Sequence, residues 1–158
     1  MPKPSGEPFQ DMCTMIGLMT LTWAWAENTL AIVIGVINEH AGPVKGHAEP
    51  PLMLKGRVAC LKAMMRDIGE LESLKNEGRA LALRFTQLGA RRNDFIHGAA
   101  WQLDEGRFQA VSIVVIAGQN EIRDHSFNQA DAVGLTAEIA KLQDDAASFL
   151  ARVLAIFS

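Results

Sequence analysis

Residues 71–95 read LESLKNEGRALALRFTQLGARRNDF, and the positions of one apolar stripe recur at alternating steps of three and four. This spacing is typical of a helix that packs against neighbouring helices at a shallow crossing angle. The stripe consists of Leu71, Leu74, Gly78, Leu81, Phe85, Leu88, Arg92 and Phe95. The pattern predicts a long core helix and a mainly α-helical fold.

The composition of the chain is that of one ordinary globular domain. Its 158 residues are enough to bury a core, 49% of them are hydrophobic, and the net charge is −3. An acidic chain is poorly suited to gripping duplex DNA over a broad basic surface, although a local basic patch is still compatible with phosphate binding. We therefore predict a single helical domain over residues 1–158.

The segment before this stripe is apolar enough to require a membrane test. Between residues 12 and 37 the only formal charge is Glu27. An acidic residue near the middle of a bilayer costs about 2.5–3.5 kcal/mol on insertion scales. Lys3 alone is also a poor basic start for a signal peptide. We predict a central helix that is covered on several sides in a soluble, cytoplasmic protein with no membrane partner.

Further helices and a β-hairpin complete the predicted architecture. A second helix is expected over about residues 52–68, and a last helix begins near Asn128, which is placed to cap it. After the third helix, residues 100–103 and 108–117 have the β-branched and aromatic character of two strands. The pattern predicts a four-helix arrangement with a short hairpin, followed by a polar connection over residues 120–127.

The end of the third helix carries residues suited to phosphodiester chemistry. Arg92 stands where the stripe would place an aliphatic residue, and a charge there is costly unless it faces a cleft or an interface. Asn93 and His97 are four residues apart and fall on one helix face. Cleavage of RNA needs a group that takes the 2′-hydroxyl proton and a cation that stabilises the transition state. His97 and Arg92 meet these needs.

The same residues also have an ordinary structural interpretation. A histidine followed by Gly98 is a common way to end a helix, and Arg91 and Arg92 complement the negative end of the helix dipole. An arginine and a histidine five positions apart recur by chance in many chains. Spacing alone favours this structural interpretation.

The segment Arg92-Asn93-Asp94-Phe95-Ile96-His97-Gly98 resembles the signature of the HEPN superfamily (higher eukaryotes and prokaryotes nucleotide-binding domain). That signature is an arginine, four to six residues and a histidine, commonly with a polar residue directly after the arginine, at the end of a long helix. The long first helix with Trp23 and Glu27 is similar to that of bacterial relatives. The resemblance covers residues 10–98 and 128–157 and implies an up-and-down four-helix bundle.

The resemblance also implies a function. It indicates a metal-independent endoribonuclease that works as a homodimer on RNA, with two motifs meeting across the two-fold axis and no cofactor. His97 would be the general acid or base, Arg92 would bind the scissile phosphate, and Asn93 would orient either. Glu27, pairing with Arg91 or Arg92, and Asp94 would be supporting residues. Many family members are toxins of toxin–antitoxin or defence systems, which implies an antitoxin protein as a further partner.

Two alternatives follow from the residues themselves. Some members of the same family have lost activity, and a non-catalytic dimerisation or partner-binding module fits the acidity and the scarcity of aromatic side chains for base stacking. A metal-binding bundle would need paired Glu-x-x-His ligands, which the sequence lacks. His40 and His47 lie in a loop without a recognisable ligand spacing, so no metal is predicted.

Overall fold

The computed structural model describes the backbone of residues 7–47, 49–96, 99–104, 107–116 and 119–158, and the side chains of residues 10–47, 49–96, 107–111, 122 and 124–158. The described chain is mainly helical with a small antiparallel sheet, which confirms the predicted class. Its elements in order are α1 (Glu7–Ala41), α2 (Leu54–Asp67), a 3₁₀ helix (Gly69–Leu74), α3 (Lys75–Ile96), β1 (Ala99–Asp104), β2 (Arg107–Ile116), β3 (Gln119–Asn128) and α4 (Gln129–Phe157).

The contacts of the chain group it into two compact units, and the single domain over residues 1–158 stays a prediction. The first, here named the sheet unit, consists of the described parts of Met1–Leu21 and Leu88–Glu138. The second, named the helical unit, consists of Thr22–Gln87 and Ile139–Ser158, again as far as they are described.

The core of the helical unit is built from the apolar stripes that the sequence predicted. Trp23, Leu30 and Ile37 of α1 are buried, as are Leu81 and Phe85 of α3. The rings of Trp23 and Phe85 meet edge to face with centroids 6.0 Å apart. Full burial of each large apolar side chain stabilises the fold by about 1.5–3 kcal/mol. Helix packing in this unit therefore depends mainly on these stripes.

Within the single chain the other face of α1 is exposed, so contacts inside the chain do not provide the predicted cover on several sides. Trp25 is 56% exposed and Ile32 is 45% exposed. By length and composition alone, residues 10–41 could also cross a membrane, with a mean hydropathy of 1.3 over the segment's most apolar part. The buried stripe on the opposite side is what a core helix of a soluble protein shows.

Ion pairs join α3 to α4 within the helical unit. Arg84 pairs with Asp145, and Glu77 pairs with Arg152. From the second pair to the first, the residue number rises by seven on α3 and falls by seven on α4. The two helices therefore run antiparallel there. Seven residues are two helical turns, which keeps both pairs on one seam.

Gly78 allows a close approach of three helices in the same unit. A Cβ built on Gly78 would lie 2.4 Å from Sδ of Met65 and 3.1 Å from Cζ of Phe149. Met65 is buried in α2 and Phe149 is buried in α4. The glycine of the predicted stripe is therefore a packing position, although glycine is a poor helix former.

We expect Gly78→Ala to lower the free energy of unfolding by about 1–3 kcal/mol, because an overpacked core must shift its neighbours. The matched control is Gly35→Ala in α1, where a Cβ would meet nothing within 4 Å. There the same change should raise stability by about 0.5–1 kcal/mol through helix propensity. Urea unfolding of both variants and the parent measures the difference. Equal effects at the two glycines would contradict the packing account.

The predicted antiparallel pair is confirmed as β1 and β2, and the described part of the sheet unit adds a third strand that was not predicted. β2 pairs antiparallel with β1 on one side and with β3 on the other. The prediction of a polar connection over residues 120–127 is wrong, because these residues belong to β3. Its register with β2 is continuous from Arg107 opposite Asn128 to Ile116 opposite Gln119. Backbone pairing along ten residues offsets the low apolar content of an edge strand.

An aromatic cluster fills the core of the sheet unit. Phe108 and Phe127 face each other across β2 and β3 and are both buried. Phe95 from the end of α3 packs on Phe127, with ring centroids 4.5 Å apart. Tilted aromatic pairs of this kind add about 0.5–1.5 kcal/mol beyond area burial. The cluster anchors the last turn of α3 to the sheet.

The helix ends follow the predictions in part. Leu71 and Leu74 are buried as the stripe requires, but they lie in the 3₁₀ helix, and α3 begins only at Lys75. At the start of α4 the predicted cap is confirmed. Asp131 N donates to Asn128 Oδ1 at 3.0 Å, and Asn128 N donates to Asp131 Oδ2 at 2.8 Å. This reciprocal pair is a capping box.

Candidate functional site

The described part of the predicted motif occupies the last turns of α3. Arg92, Asn93 and Asp94 lie on the helix, which ends at Ile96. His97 and Gly98 lie outside the described residues. The position of the predicted catalytic imidazole relative to Arg92 therefore stays a prediction from the sequence.

Arg92 interrupts a buried apolar stripe, as the sequence indicated. Leu88 before it and Phe95 after it are both buried, while Arg92 itself is half-buried. Its Nη1 donates to Oδ1 of the exposed Asn93 at 3.1 Å. The neighbouring motif residues Arg92 and Asn93 are thus joined by a side-chain hydrogen bond. This bond restricts the orientation of the guanidinium.

Arg91 pairs with a residue that sequence reasoning did not connect to the motif. Its Nη1 lies 2.6 Å from Oε2 of Glu138 on α4, and both side chains are 51% exposed. An ion pair at this exposure is worth about 0–1 kcal/mol. This pair continues the spacing of the Arg84–Asp145 pair, since Arg91 lies seven residues after Arg84 and Glu138 lies seven residues before Asp145. The seven-residue spacing of charges on the two helices could have predicted the pair from the sequence.

Glu27 belongs to the helical unit, whereas the motif belongs to the sheet unit. The described contact of Glu27 is through its backbone, where the carbonyl accepts a hydrogen bond from Arg57 Nη1 at 3.3 Å. Arg57 Nε also donates to the carbonyl of Pro51 at 3.1 Å. With Arg91 paired to Glu138, the suggested pairing of Glu27 with Arg92 stays a prediction.

A pocket of about 380 Å³ lies in the sheet unit beside the end of α3, and it is here named the α3 pocket. Its volume falls in the range of about 300–1,000 Å³ that is usual for small-ligand sites. The side chains that matter for its chemistry come from α3, β3 and α4, and they are those of Arg91, Asp94, Phe95, His125 and Glu138.

Sequence reasoning missed His125 as a site residue. Its ring meets Phe95 edge to face at 5.6 Å and stacks with Phe127 at 6.0 Å. His125 and Phe127 alternate along β3 and therefore share one face of the strand. The alternation of His125 and Phe127 could have indicated that the two rings lie together. It does so only once residues 119–128 are recognised as a strand.

The carboxylates of the α3 pocket differ in how far they are already engaged. Glu138 pairs with Arg91, and Asp131 is committed through Oδ2 to the cap of α4. Asp94 is half-buried and forms no hydrogen bond or ion pair with the part of the chain that the structure describes. Because Asp94 also lines the α3 pocket, a ligand bound there can reach its carboxylate.

Gly134 lines the α3 pocket from within α4. A glycine inside a helix costs about 0.5–1 kcal/mol relative to alanine. A Cβ there would meet nothing within 4 Å, so close packing does not require the glycine. The absence of a side chain leaves this part of the pocket wall open.

His40 and His47 were considered as metal ligands in a loop. His40 instead lies in the last turn of α1, where its ring stacks on Phe157 with centroids 5.1 Å apart. Within the described ranges, no three or more histidine, cysteine, aspartate or glutamate side chains are grouped so that they could hold a metal ion.

Comparison with protein-family models, with curated proteins and with solved structures gives no match to this chain. The functional argument therefore depends on the residues and contacts given above.

Proposed function

We propose that the chain is a metal-independent endoribonuclease with the up-and-down four-helix bundle of the HEPN superfamily, acting in the cytoplasm as the toxin of a toxin–antitoxin or defence system. The observation that carries the proposal is the guanidinium of Arg92, set into an apolar stripe at the end of α3 and bonded to Asn93. A guanidinium held in one orientation suits phosphate, because its planar set of N–H donors matches two phosphate oxygens at once. We therefore assign a phosphate group of RNA as the ligand of Arg92.

In the proposed reaction, His97 takes the proton from a ribose 2′-hydroxyl, and the 2′-oxygen attacks the adjacent phosphorus. The bond from phosphorus to the 5′-oxygen breaks, and a protonated imidazole returns a proton to that leaving oxygen. Arg92 stabilises the extra negative charge on the phosphoryl oxygens, which is where a fixed cation has its largest effect. The products are a 2′,3′-cyclic phosphate and a 5′-hydroxyl.

The proposed working form is a homodimer, and the exposed face of α1 is the surface proposed for the second copy. Trp25 and Ile32 are seven residues apart and lie on one face, with the uncharged Asn28 between them. Apolar side chains exposed in this way mark interaction surfaces. A helix lying on an anionic membrane would carry lysines or arginines beside its apolar face, and residues 12–37 contain none.

One specific observation favours the alternative of a non-catalytic partner-binding module. Arg91 is neutralised by Glu138 within one chain, and the adjacent α3 pocket also contains Asp94 and Asp131. Carboxylates so close to the motif lower the local positive potential that attracts RNA phosphates. The alternative keeps the fold and the dimer and predicts no turnover.

The proposal is tested by incubating the purified protein with single-stranded RNA in the presence of excess EDTA. We expect cleavage to continue and to leave 2′,3′-cyclic phosphate ends, since the nucleophile is the 2′-hydroxyl and no metal enters the mechanism. The control is an oligonucleotide of the same sequence that carries 2′-deoxyribose throughout, which should stay intact. Cleavage of the DNA control, or activity that stops with EDTA and returns with a divalent metal, would contradict the proposed mechanism.

A further inference from the structure

We propose that the α3 pocket is a nucleobase-binding site that prefers guanine. The assignment deepens the proposed function, and it rests on that function for the choice of RNA as the ligand. The pocket belongs to the sheet unit and shares the last turns of α3 with Arg92 and Asn93. A base bound there would be held beside the residues proposed to act on the RNA backbone.

The pocket offers an aromatic surface of the kind that RNA-binding proteins use for bases. The imidazole of His125 is exposed, while Phe95 and Phe127 behind it are buried and pack against its ring. Histidine and phenylalanine rings stack on unpaired bases, and such contacts suit any base. Contacts with Phe95 and Phe127 fix the His125 ring, so less conformational freedom is lost when a base binds.

The polar groups of the pocket supply the discrimination among bases. Guanine is the only standard base that presents two adjacent donors, the N1–H and the 2-amino group, on its Watson–Crick edge. The two oxygens of the Asp94 carboxylate, which is acceptor-only, can receive both. Arg91 and Asp94 are three residues apart on α3 and are therefore neighbours on the helix surface. An arginine donates readily to guanine O6 or N7.

The α3 pocket offers both an acceptor and a donor, and this pair suits the edge of a base better than a cationic side chain of a protein partner. A lysine or arginine could donate to Asp94, but it has no acceptor for the remaining N–H groups of Arg91, which lies in the same pocket. Glu138 is already paired with that guanidinium, and Asp131 is committed to the helix cap. A ligand must therefore match an acceptor and a donor at once, and the edge of guanine does so.

The space for the base comes partly from Gly134. Its position inside α4 has no packing explanation, since a Cβ there would meet nothing within 4 Å. A longer side chain at this position would occupy the α3 pocket without removing any of its polar groups. Replacing Gly134 also favours the helix, so loss of binding in such a variant cannot come from a weaker fold.

The test is calorimetric titration of the intact protein with guanosine, inosine, adenosine, cytidine and uridine. We expect guanosine to bind at least about tenfold more tightly than the other four nucleosides, inosine included, because inosine lacks the 2-amino donor. Asp94→Asn should weaken guanosine binding by at least about tenfold, since the amide replaces one acceptor with a donor. Gly134→Met should weaken it as strongly, whereas Ala140→Met, at an exposed position of α4 outside the pocket, should leave it unchanged.

RNA cleavage is measured on the same preparations, so that the two proposals can fail separately. Guanosine binding that depends on Asp94 without any cleavage supports the base site and overturns the endoribonuclease. Cleavage with equal binding of all five nucleosides supports the endoribonuclease and overturns the base site. An arginine-containing peptide that binds through Asp94 where guanosine does not would show a protein docking site, and the base assignment would be wrong.

Discussion

His97→Ala is expected to lower the rate of RNA cleavage by about 10²–10⁴-fold, the usual contribution of a positioned general acid or base. His97 is the residue that follows Ile96, where α3 ends. If its role is catalytic, its replacement should lower the rate and leave thermal stability unchanged. Single-turnover cleavage of a short RNA, with thermal unfolding of the same sample, measures both quantities.

The matched control for that variant is His47→Ala, which removes an imidazole from the loop after α1. It should retain the parent rate. Arg92→Gln should lose about 10²–10³-fold, as expected for removal of one fixed group that stabilises developing charge. Cleavage by His97→Ala at the parent rate would show that His97 is not the catalytic group and would contradict the proposed mechanism.

The helical part of the fold could be predicted from the sequence because it depends mainly on one pattern, the periodic spacing of apolar residues. A stripe with steps of three and four must be buried, and Leu81, Phe85 and Leu88 are buried as predicted. The sequence did not indicate that α1 would leave Trp25 exposed, because an apolar side chain looks the same whether it packs within the chain or on a partner. Periodicity identifies the faces of a helix but not what covers each face.

The sheet was only partly readable for a related reason. β2 has the β-branched residues that favour a strand, but β3 is held by backbone pairing with β2 and by Phe127. Its polar side chains suit a solvated edge and resemble those of a loop. Missing β3 concealed His125, and with it the α3 pocket. The motif residues Arg92 and Asn93 could be identified from the sequence because the motif is defined by the order and spacing of residues along the chain.

Trp25→Glu is expected to raise the dissociation constant of the dimer by at least about a hundredfold, which corresponds to about 2.7 kcal/mol. Tryptophans at the centre of an interface commonly contribute at least about 2 kcal/mol, and a buried unpaired carboxylate adds a further penalty. Trp25 is 56% exposed in the single chain, so the change should not affect folding. Sedimentation velocity over a range of protein concentrations measures the constant.

The control for this variant is Leu83→Glu, since Leu83 is 51% exposed on α3 in the same helical unit. It introduces the same charge on another surface and should leave the dimer intact. If the active cleft is shared between two copies, Trp25→Glu must lose cleavage in parallel with dimerisation, and high protein concentration must restore both. A parent protein that is monomeric and active would contradict the shared cleft, because the two motifs would then never meet. A parent protein that stays soluble only in detergent would instead assign the exposed face of α1 to a membrane.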